Sequence, residues 1–481
     1  MNRRMVFYTL GKVILIESAL LVPSLVVSFI YKNSCITSFA VTIGIAAAVG
    51  LLLAVVFKPK NKVIYAKEGF VTVTLAWICM SLIGALPFYL SKEIPSYVDA
   101  FFETVSGFTT TGSSILTDVE AMSEGLLFWR SFTHWLGGMG VLVFLMAVIP
   151  SDSDRSIHLL RAEVPGPTFG KFVPRISKTA KILYVIYIVL TAIETVFLLC
   201  GDMNLFESLV HAFGTAGTGG FGIKADSIAS YSSYSQWVIT AFMLIFGLNF
   251  NLYFLVIIKK VKAALKSEEL WTFIILVAVA TLAIAANIYK TVSGVEEALR
   301  TSAFQVATIV STTGYATANF DLWPNLSKGI LFVLMFIGGC AGSTAGGLKL
   351  ARLMVIFKII KREFRHMLHP RSVGVVKVEG KRVSDEVLKS VSAYFGLYII
   401  CIFIIFLLIC NEPFDFQSNI SAVVACFNNV GPGFGAVGPA MNYAGYSAFA
   451  KIVLSFAMLL GRLEIYPIVF AFIPSTWSRK K

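Results

Sequence analysis

Four short segments of this chain pair hydroxyl or amide side chains with glycine: FTTTGSS, GTGGFGI, STTGYAT and NNVGPGFG. Their chemistry is that of neutral oxygen. Glycine reaches backbone angles that turn successive carbonyls the same way, and Thr110, Thr111, Thr218, Thr312 and Thr313 can add hydroxyl oxygens. No carboxylate lies inside any of the four. Divalent cations want carboxylates, whereas a set of carbonyls can replace the water shell of a weakly hydrated monovalent cation. The candidate ion-binding residues are Thr110, Thr111, Gly112, Thr218, Gly219, Thr312, Thr313, Gly314, Asn429, Val430 and Gly431, with Gly112, Gly219, Gly314 and Gly431 as the matching glycines. A single TTTG is more often a polar turn between helices. Four at matching positions outweigh that reading.

Each segment closes a half-apolar stretch too short to cross a bilayer: VDAFFETVSGFTTTGSS, NLFESLVHAFGTAGTGGFG, EEALRTSAFQVATIVSTTGYA and FQSNISAVVACFNNVGPGFG. These stretches follow the third, fifth, seventh and ninth of ten apolar runs, near 13–31, 37–57, 69–90, 125–150, 180–200, 236–258, 270–289, 327–360, 391–410 and 446–473. A span needs about 20 apolar residues, so each run is a candidate membrane helix. Non-helical backbone at membrane depth is tolerated only where protein or a water-filled cavity satisfies it. Four such loops can supply one another with that cavity around a single axis. A short helix running inward also aims its negative carbonyl end at the membrane centre, which favours a cation there. The expected fold is an all-α polytopic membrane protein with four membrane-pore-membrane repeats around one pore and two extra N-terminal helices. The divisions fall at 1–66 for the two-helix segment and 67–152, 153–266, 267–370 and 371–481 for the repeats.

Composition agrees. The chain is 57% hydrophobic and 14% charged, with a mean hydropathy of +0.79; a soluble domain carries about 25% charged residues. The net charge of +13 would suggest nucleic acid in a soluble protein, but no aromatic-basic patch accompanies it. The basic residues cluster in alternate loops, following the second, fourth, sixth and eighth runs, and at Arg479, Lys480 and Lys481. That alternation places both termini of a multi-pass membrane protein in the cytoplasm. The opposite loops hold acidic residues such as Asp99, Glu103, Glu207, Glu296 and Glu412, which either draw cations to the pore mouth or merely reflect the scarcity of lysine and arginine there. The first run has no convincing cleavage site and is expected to stay as a span. Seven scattered cysteines form no CxxC pair and are expected to be packing residues. Enzyme chemistry finds no support: His134, His158, His211, His366 and His369 form no HExxH, and no paired intramembrane aspartates occur. An ion-coupled symporter (H⁺ or Na⁺) is the closer alternative to a channel-like protein, although it would be expected to place an ionisable group at the binding site.

Two further features stand out. The eighth run breaks into Gly338-Gly339-Cys340-Ala341-Gly342-Ser343-Thr344-Ala345-Gly346-Gly347, and glycine costs roughly 1 kcal/mol relative to alanine in a helix. The segment is either an unwound intramembrane loop or, through overlapping GxxxG spacings, a close helix contact. Arg462 lies in the last run between apolar stretches. Arginine there costs about 2.5–3.5 kcal/mol, so it must face water, find a partner or snorkel to the interface. For Arg130, His134, Glu17 and Glu194, in or beside spans, structural contacts between helices are expected.

These residues resemble a known family. The four Gly-containing segments are similar to the pore loops of the Trk/Ktr/HKT superfamily of K⁺ transporters. GGCAGSTAGGLK and GRLEIYP resemble two further signatures of its bacterial Trk-type membrane subunits, and the likeness covers essentially the whole chain. The resemblance implies K⁺, possibly with Na⁺, as the transported ion, and no cofactor bound for catalysis. It implies a selectivity filter at the four loops and a gate loop at Gly338, Gly339, Gly342, Ser343, Thr344, Gly346 and Gly347. Arg462 becomes an electrostatic barrier below the filter. The implied partners are a second copy in a homodimer, membrane lipid, and a cytosolic nucleotide-binding regulatory subunit of the TrkA type, with no nucleic acid. That subunit is expected on basic loops such as 151–181 and 358–390.

Overall fold

A computed structural model of the chain describes residues 1–60, 65–140, 176–372 and 374–477. In lipid every backbone polar group must be satisfied within its own segment, and the long apolar runs accordingly become helices. Among the described residues, six are long and apolar enough to cross a membrane: Arg3–Tyr31, Ile36–Val56, Lys67–Leu90, Lys181–Leu199, Glu268–Ile288 and Asp385–Ile409. The first comprises α1 (Arg3–Leu20) and α2 (Val22–Tyr31), and the second is α3 (Ile36–Val56). Gly11 and Gly50 let α1 and α3 touch, since a methyl group on Gly11 would come within 2.7 Å of the Ala54 amide nitrogen. The other four open the four expected repeats: α4 (Ala66–Gly84) with α5 (Leu86–Leu90), α8 (Ile176–Leu199), α12 (Glu268–Ile288) and α16 (Asp385–Ile409). The chain is an all-α polytopic membrane protein.

After each opening span comes a short helix: α6 (Tyr97–Phe108), α9 (Leu205–Gly217), α13 (Val295–Val310) and α17 (Phe416–Phe427). They run 12 to 16 residues, about 18–24 Å at 1.5 Å per residue, short of a hydrocarbon core of about 30 Å. Caps fix three of their starts: Ser96 accepts from the Asp99 amide, Asn204 from Glu207 and Asp415 from Ser418.

The closing helix of each repeat differs from the opening one. In the first repeat α7 (Glu124–Gly138) leads into residues outside the described set. In the second, α10 (Ser233–Gly247) and α11 (Phe250–Ile257) meet at a bend of 88°. In the third, α14 (Asn325–Ile337) and α15 (Leu350–Leu368) flank a non-helical segment. In the fourth, α18 (Ala448–Arg462) and α19 (Tyr466–Phe472) are parted by Glu464 and Ile465, both left-handed. Only the third break is expected from the sequence, so the continuous runs 236–258 and 446–473 are corrected to broken helices. In the second repeat Leu248 is extended and the Asn249 side chain caps α11 through the Asn251 amide at 2.9 Å. In the fourth, Pro467 in the first turn of α19 suits a fresh helix start.

Two other expectations change. Much of the acidic set is committed internally: Asp99 pairs with Lys451 at 2.6 Å, Glu103 with Arg130 at 2.6 Å, and Glu412 accepts from Ser447. A cation-concentrating mouth thus loses the charges of Asp99 and Glu103. A minimal hairpin also interrupts the all-helical pattern, with β1 (Lys377–Val378) antiparallel to β2 (Lys381–Arg382) around left-handed Glu379 and Gly380. Val376, Val378 and Val383 pack with Val355 of α15 and with Leu388 and Val391 of α16. The basic stretch 153–175, the boundary at 152/153 and the C-terminal Arg479, Lys480 and Lys481 lie outside the described residues.

Candidate ion-binding site

The four Gly-containing loops share one conformation. The residue ending each short helix is left-handed: Thr110 at φ 56°, Thr218 at 57°, Thr312 at 56° and Asn429 at 56°. The next amide donates to the carbonyl five residues back. Thr111 reaches Ser106 at 2.9 Å, Gly219 reaches Gly214 at 2.8 Å, Thr313 reaches Thr308 at 2.8 Å and Val430 reaches Ala425 at 2.9 Å. That is a Schellman helix end, repeated four times. One residue further on stands a glycine with positive φ: Gly112 (82°), Gly220 (77°), Gly314 (91°) and Gly431 (98°).

This register corrects the second repeat, where Gly220 and not Gly219 matches the other three glycines. Gly219 instead matches Thr111, Thr313 and Val430. The run Thr-Gly-Gly offers two glycines, and only the left-handed helix end tells them apart.

The loops close into a ring. A methyl group on Gly112 would overlap the Gly219 carbonyl oxygen, one on Gly220 that of Thr313, and one on Gly314 that of Val430. One on Gly431 would come to 2.6 Å of the Thr111 carbonyl oxygen. The contacts pass from repeat to repeat and return to the first. The carbonyls of Thr111, Gly219, Thr313 and Val430 thus form one tier, each against the α-carbon of a neighbouring loop's glycine. The next tier outward is partly occupied, because the Gly431 carbonyl accepts from Ser113 Oγ at 3.1 Å and from Tyr443 at 3.0 Å. On the helix side, Thr110 Oγ1 and Asn429 Oδ1 are buried with no hydrogen-bond partner among the described residues.

Side chains behind the ring fix it. His134 of α7 faces the Gly107 carbonyl through Nδ1 at 2.8 Å, and its Nε2 accepts from the Phe221 amide at 3.3 Å. Its ring fills the space a side chain at Gly219 would need. Above the ring, a cavity of 110 Å³ is lined by Gly112, Gly220, Gly314, Gly431 and Arg130, among others. Glu103 accepts from Arg130 Nε at 2.6 Å, from Ser114 Oγ at 3.0 Å and from the Ile115 amide at 2.9 Å. Arg130 in turn donates to the Gly222 carbonyl at 3.0 Å and lies 3.5 Å over the Phe221 ring. The pair therefore ties the loop leaving the first repeat's glycine to that leaving the second's. Both residues are buried, and removing one partner of a buried pair typically costs about 3–5 kcal/mol. We expect Glu103→Ala to lower the unfolding free energy of purified protein by an amount in that range, read from denaturant curves followed by tryptophan fluorescence. A stability equal to the parent's would refute this role.

Below the ring, residues 338–349 are non-helical, so the GxxxG helix contact is excluded. Gly338, Gly342 and Gly347 have φ of 68°, 73° and 75°, which only glycine adopts readily. The Gly346 amide donates to Thr312 Oγ1 at 2.6 Å, and a methyl group there would come to 2.9 Å of Asn429 Cβ. The segment thus presses against the inner edge of the ring. Arg462 is buried and donates to the Thr344 carbonyl at 2.7 Å and to those of Gly137 and Gly138 at the end of α7. It has partners and does not snorkel. Lys349, which sequence reasoning passed over, is a second buried cation here and donates to the Ala345 carbonyl.

The family model described as TrkH, cation transport protein, matches residues 36–481. The chain belongs to the TrkH family. Trk system potassium uptake protein TrkH of Halomonas elongata is 33% identical over 100% of both chains. That of Escherichia coli K12 is 34% identical over 97% of each. Among solved structures, the potassium transporter TrkH from Vibrio parahaemolyticus aligns with a TM-score of 0.89 at 29% identity, covering 99% of this chain and 100% of that one. Within this TrkH-family chain, every candidate ion-binding residue read from the sequence lies in the four-loop ring or on its inner edge. The gate-loop candidates all fall in one unwound segment beneath it. What the sequence reading missed is Gly220, Lys349 and the part that His134 and the Arg130–Glu103 pair play around the ring; contacts between helices were expected for His134 and Arg130, and both make them. Gly220 was one residue away, and the others needed contacts between distant parts of the chain.

Proposed function

We propose that this protein is a potassium-uptake protein of a cell's inner membrane, passing K⁺ and some Na⁺ through the four-loop ring, and that it is not an enzyme. The closed ring of neutral carbonyls from Thr111, Gly219, Thr313 and Val430 carries this reading, and relatives named as potassium uptake proteins support it. An ion entering the cavity above the ring exchanges water for carbonyls at low cost, because the carbonyls are already held in place. Below the ring, the carbonyl ends of four short helices favour a cation. The filter residues are Thr110, Thr111, Gly112, Thr218, Gly219, Gly220, Thr312, Thr313, Gly314, Asn429, Val430 and Gly431. Residues 338–347 act as the gate, with Arg462 as an electrostatic barrier. The termini lie in the cytoplasm, and the chain works as a homodimer with a cytosolic nucleotide-binding subunit on its basic inner face.

The test is flux from proteoliposomes holding this chain alone. We expect ⁸⁶Rb⁺ uptake that persists without an H⁺ or Na⁺ gradient and exceeds Na⁺ uptake. Uptake that appears only when such a gradient is imposed would establish the coupled symporter instead.

A further inference from the structure

The break in the third repeat is docked onto the break in the second. Where α10 ends at Gly247, its last carbonyls lack helical donors; the Cys340 amide donates to the Gly247 carbonyl at 3.0 Å and Thr344 Oγ1 to that of Phe246 at 3.3 Å. Where α11 begins, the Phe250 amide donates to the Gly342 carbonyl at 3.2 Å. Each unwound stretch satisfies the backbone groups the other frees.

One side chain closes this joint. Glu269, in the first turn of α12, is buried; its Oε1 accepts from the Ala341 amide at 2.6 Å and its Oε2 from Asn249 Nδ2 at 3.4 Å. The carboxylate therefore grips the loop and the 88° bend together. A buried amide such as that of Ala341 bears the full cost of its desolvation once its acceptor is lost. Around this first turn the chain reaches the surface. Ser267, the N-cap of α12, donates to Glu379 Oε1 at 2.8 Å. Glu268 pairs with Lys358, whose Nζ also donates to the Lys377 carbonyl at 2.8 Å. Glu379 and Lys377 belong to the hairpin, whose exposed residues include Lys377, Lys381 and Arg382. Packing of its valines on α15 and α16 makes the hairpin a solid piece.

We propose that Glu269 is the latch that keeps the gate loop seated, and that the hairpin 377–382 is the handle by which an acidic surface of a soluble partner releases it. The proposal rests on the loop being a gate. A displacement of the hairpin tip pulls on Ser267 and Lys358. These lie two residues before Glu269 and on the ion-pair partner of its neighbour, so the carboxylate moves off Ala341. Glu269 is thus a positioning residue and touches no ion.

The experiment uses the full chain in proteoliposomes and planar bilayers, with deletion of 342–345 as the reference for an open gate. We expect Glu269→Ala to raise time-averaged Rb⁺ flux about fivefold to tenfold through open probability, leaving unitary conductance and the K⁺/Na⁺ ratio unchanged. Glu269→Gln, which can still accept from Ala341 without the charge, should give a smaller rise, and it decides the matter if the alanine variant does not elute as folded protein. Glu379→Ala should raise flux about twofold to threefold alone and add nothing on top of Glu269→Ala, since both act through one joint. If the deletion raises flux but neither Glu269 variant does, the latch is overturned and the gate stands. If the deletion has no effect, the gate reading falls and takes the latch with it. A changed K⁺/Na⁺ ratio in Glu269→Ala would mark a filter defect and overturn the latch. An additive Glu379→Ala effect would overturn the handle alone.

Discussion

Alanine at Gly112, Gly220, Gly314 or Gly431 should abolish K⁺ preference and cut K⁺ uptake by about tenfold or more. All four have φ between 77° and 98°, where an L side chain is strained by roughly 1–2 kcal/mol. Strain alone would be tolerable. The larger effect is that each new methyl group meets a main-chain carbonyl of the neighbouring loop, and a backbone oxygen cannot swing aside as a flexible side chain can. The carbonyl that must move is itself one of the proposed ion ligands. The ring is closed, so a fault in one loop passes to the next, and the four variants should resemble one another. Gly219 provides the control. A methyl group there meets the His134 ring instead of a carbonyl, so the damage enters from behind. Gly219→Ala should be partly rescued by His134→Ala, and Gly220→Ala should not. The measurement is the K⁺/Na⁺ flux ratio of size-exclusion-verified protein. Equal rescue of both would undo the register derived from the left-handed residues, and normal selectivity in all four alanine variants would remove the filter from these loops.

The architecture was legible because its signals are local. Twenty-residue apolar runs and four Thr- or Asn-Gly segments need no knowledge of the remaining chain. The breaks were harder. The third repeat announces its break with five glycines, but 248–249 is Leu-Asn and 464–465 is Glu-Ile, neither a composition that unwinds by itself. Asn249 breaks its helix because the loop 340–344 supplies the groups its neighbours lack, and that partner lies some hundred residues away. The acidic residues taught the opposite lesson: Asp99 and Glu103 count as mouth charges in sequence, yet Lys451 and Arg130 neutralise them in the fold. Propensity and charge patterning report what a residue prefers alone, and tertiary contacts decide the rest.

In the gate we propose, the unwound segment and Arg462 form one obstruction with two separable parts. Gly346 sits against Thr312 and Asn429, where it would block the way sterically. Arg462 adds a positive charge anchored to Thr344, Gly137 and Gly138. At about 6 Å and an effective dielectric of about 20, a unit charge opposes a monovalent cation by about 2.8 kcal/mol, close to a hundredfold in rate before screening by water and counter-ions. Deletion of 342–345 removes the arginine's acceptor at Thr344 along with part of the plug, so Rb⁺ uptake should rise several-fold with the K⁺/Na⁺ ratio preserved. Arg462→Ala removes both charge and tether, and should raise unitary conductance as well as open probability. Arg462→Gln separates them, because an amide can still donate to Thr344 while the charge is gone. If the charge is the barrier, glutamine should match alanine in unitary conductance; if the tether is what matters, glutamine should match the parent in open probability. A folded deletion variant that conducts no faster than the parent would mean that the segment fills space beside the path instead of closing it, and Arg462 would then be a bracket between the third repeat's loop and the end of α7.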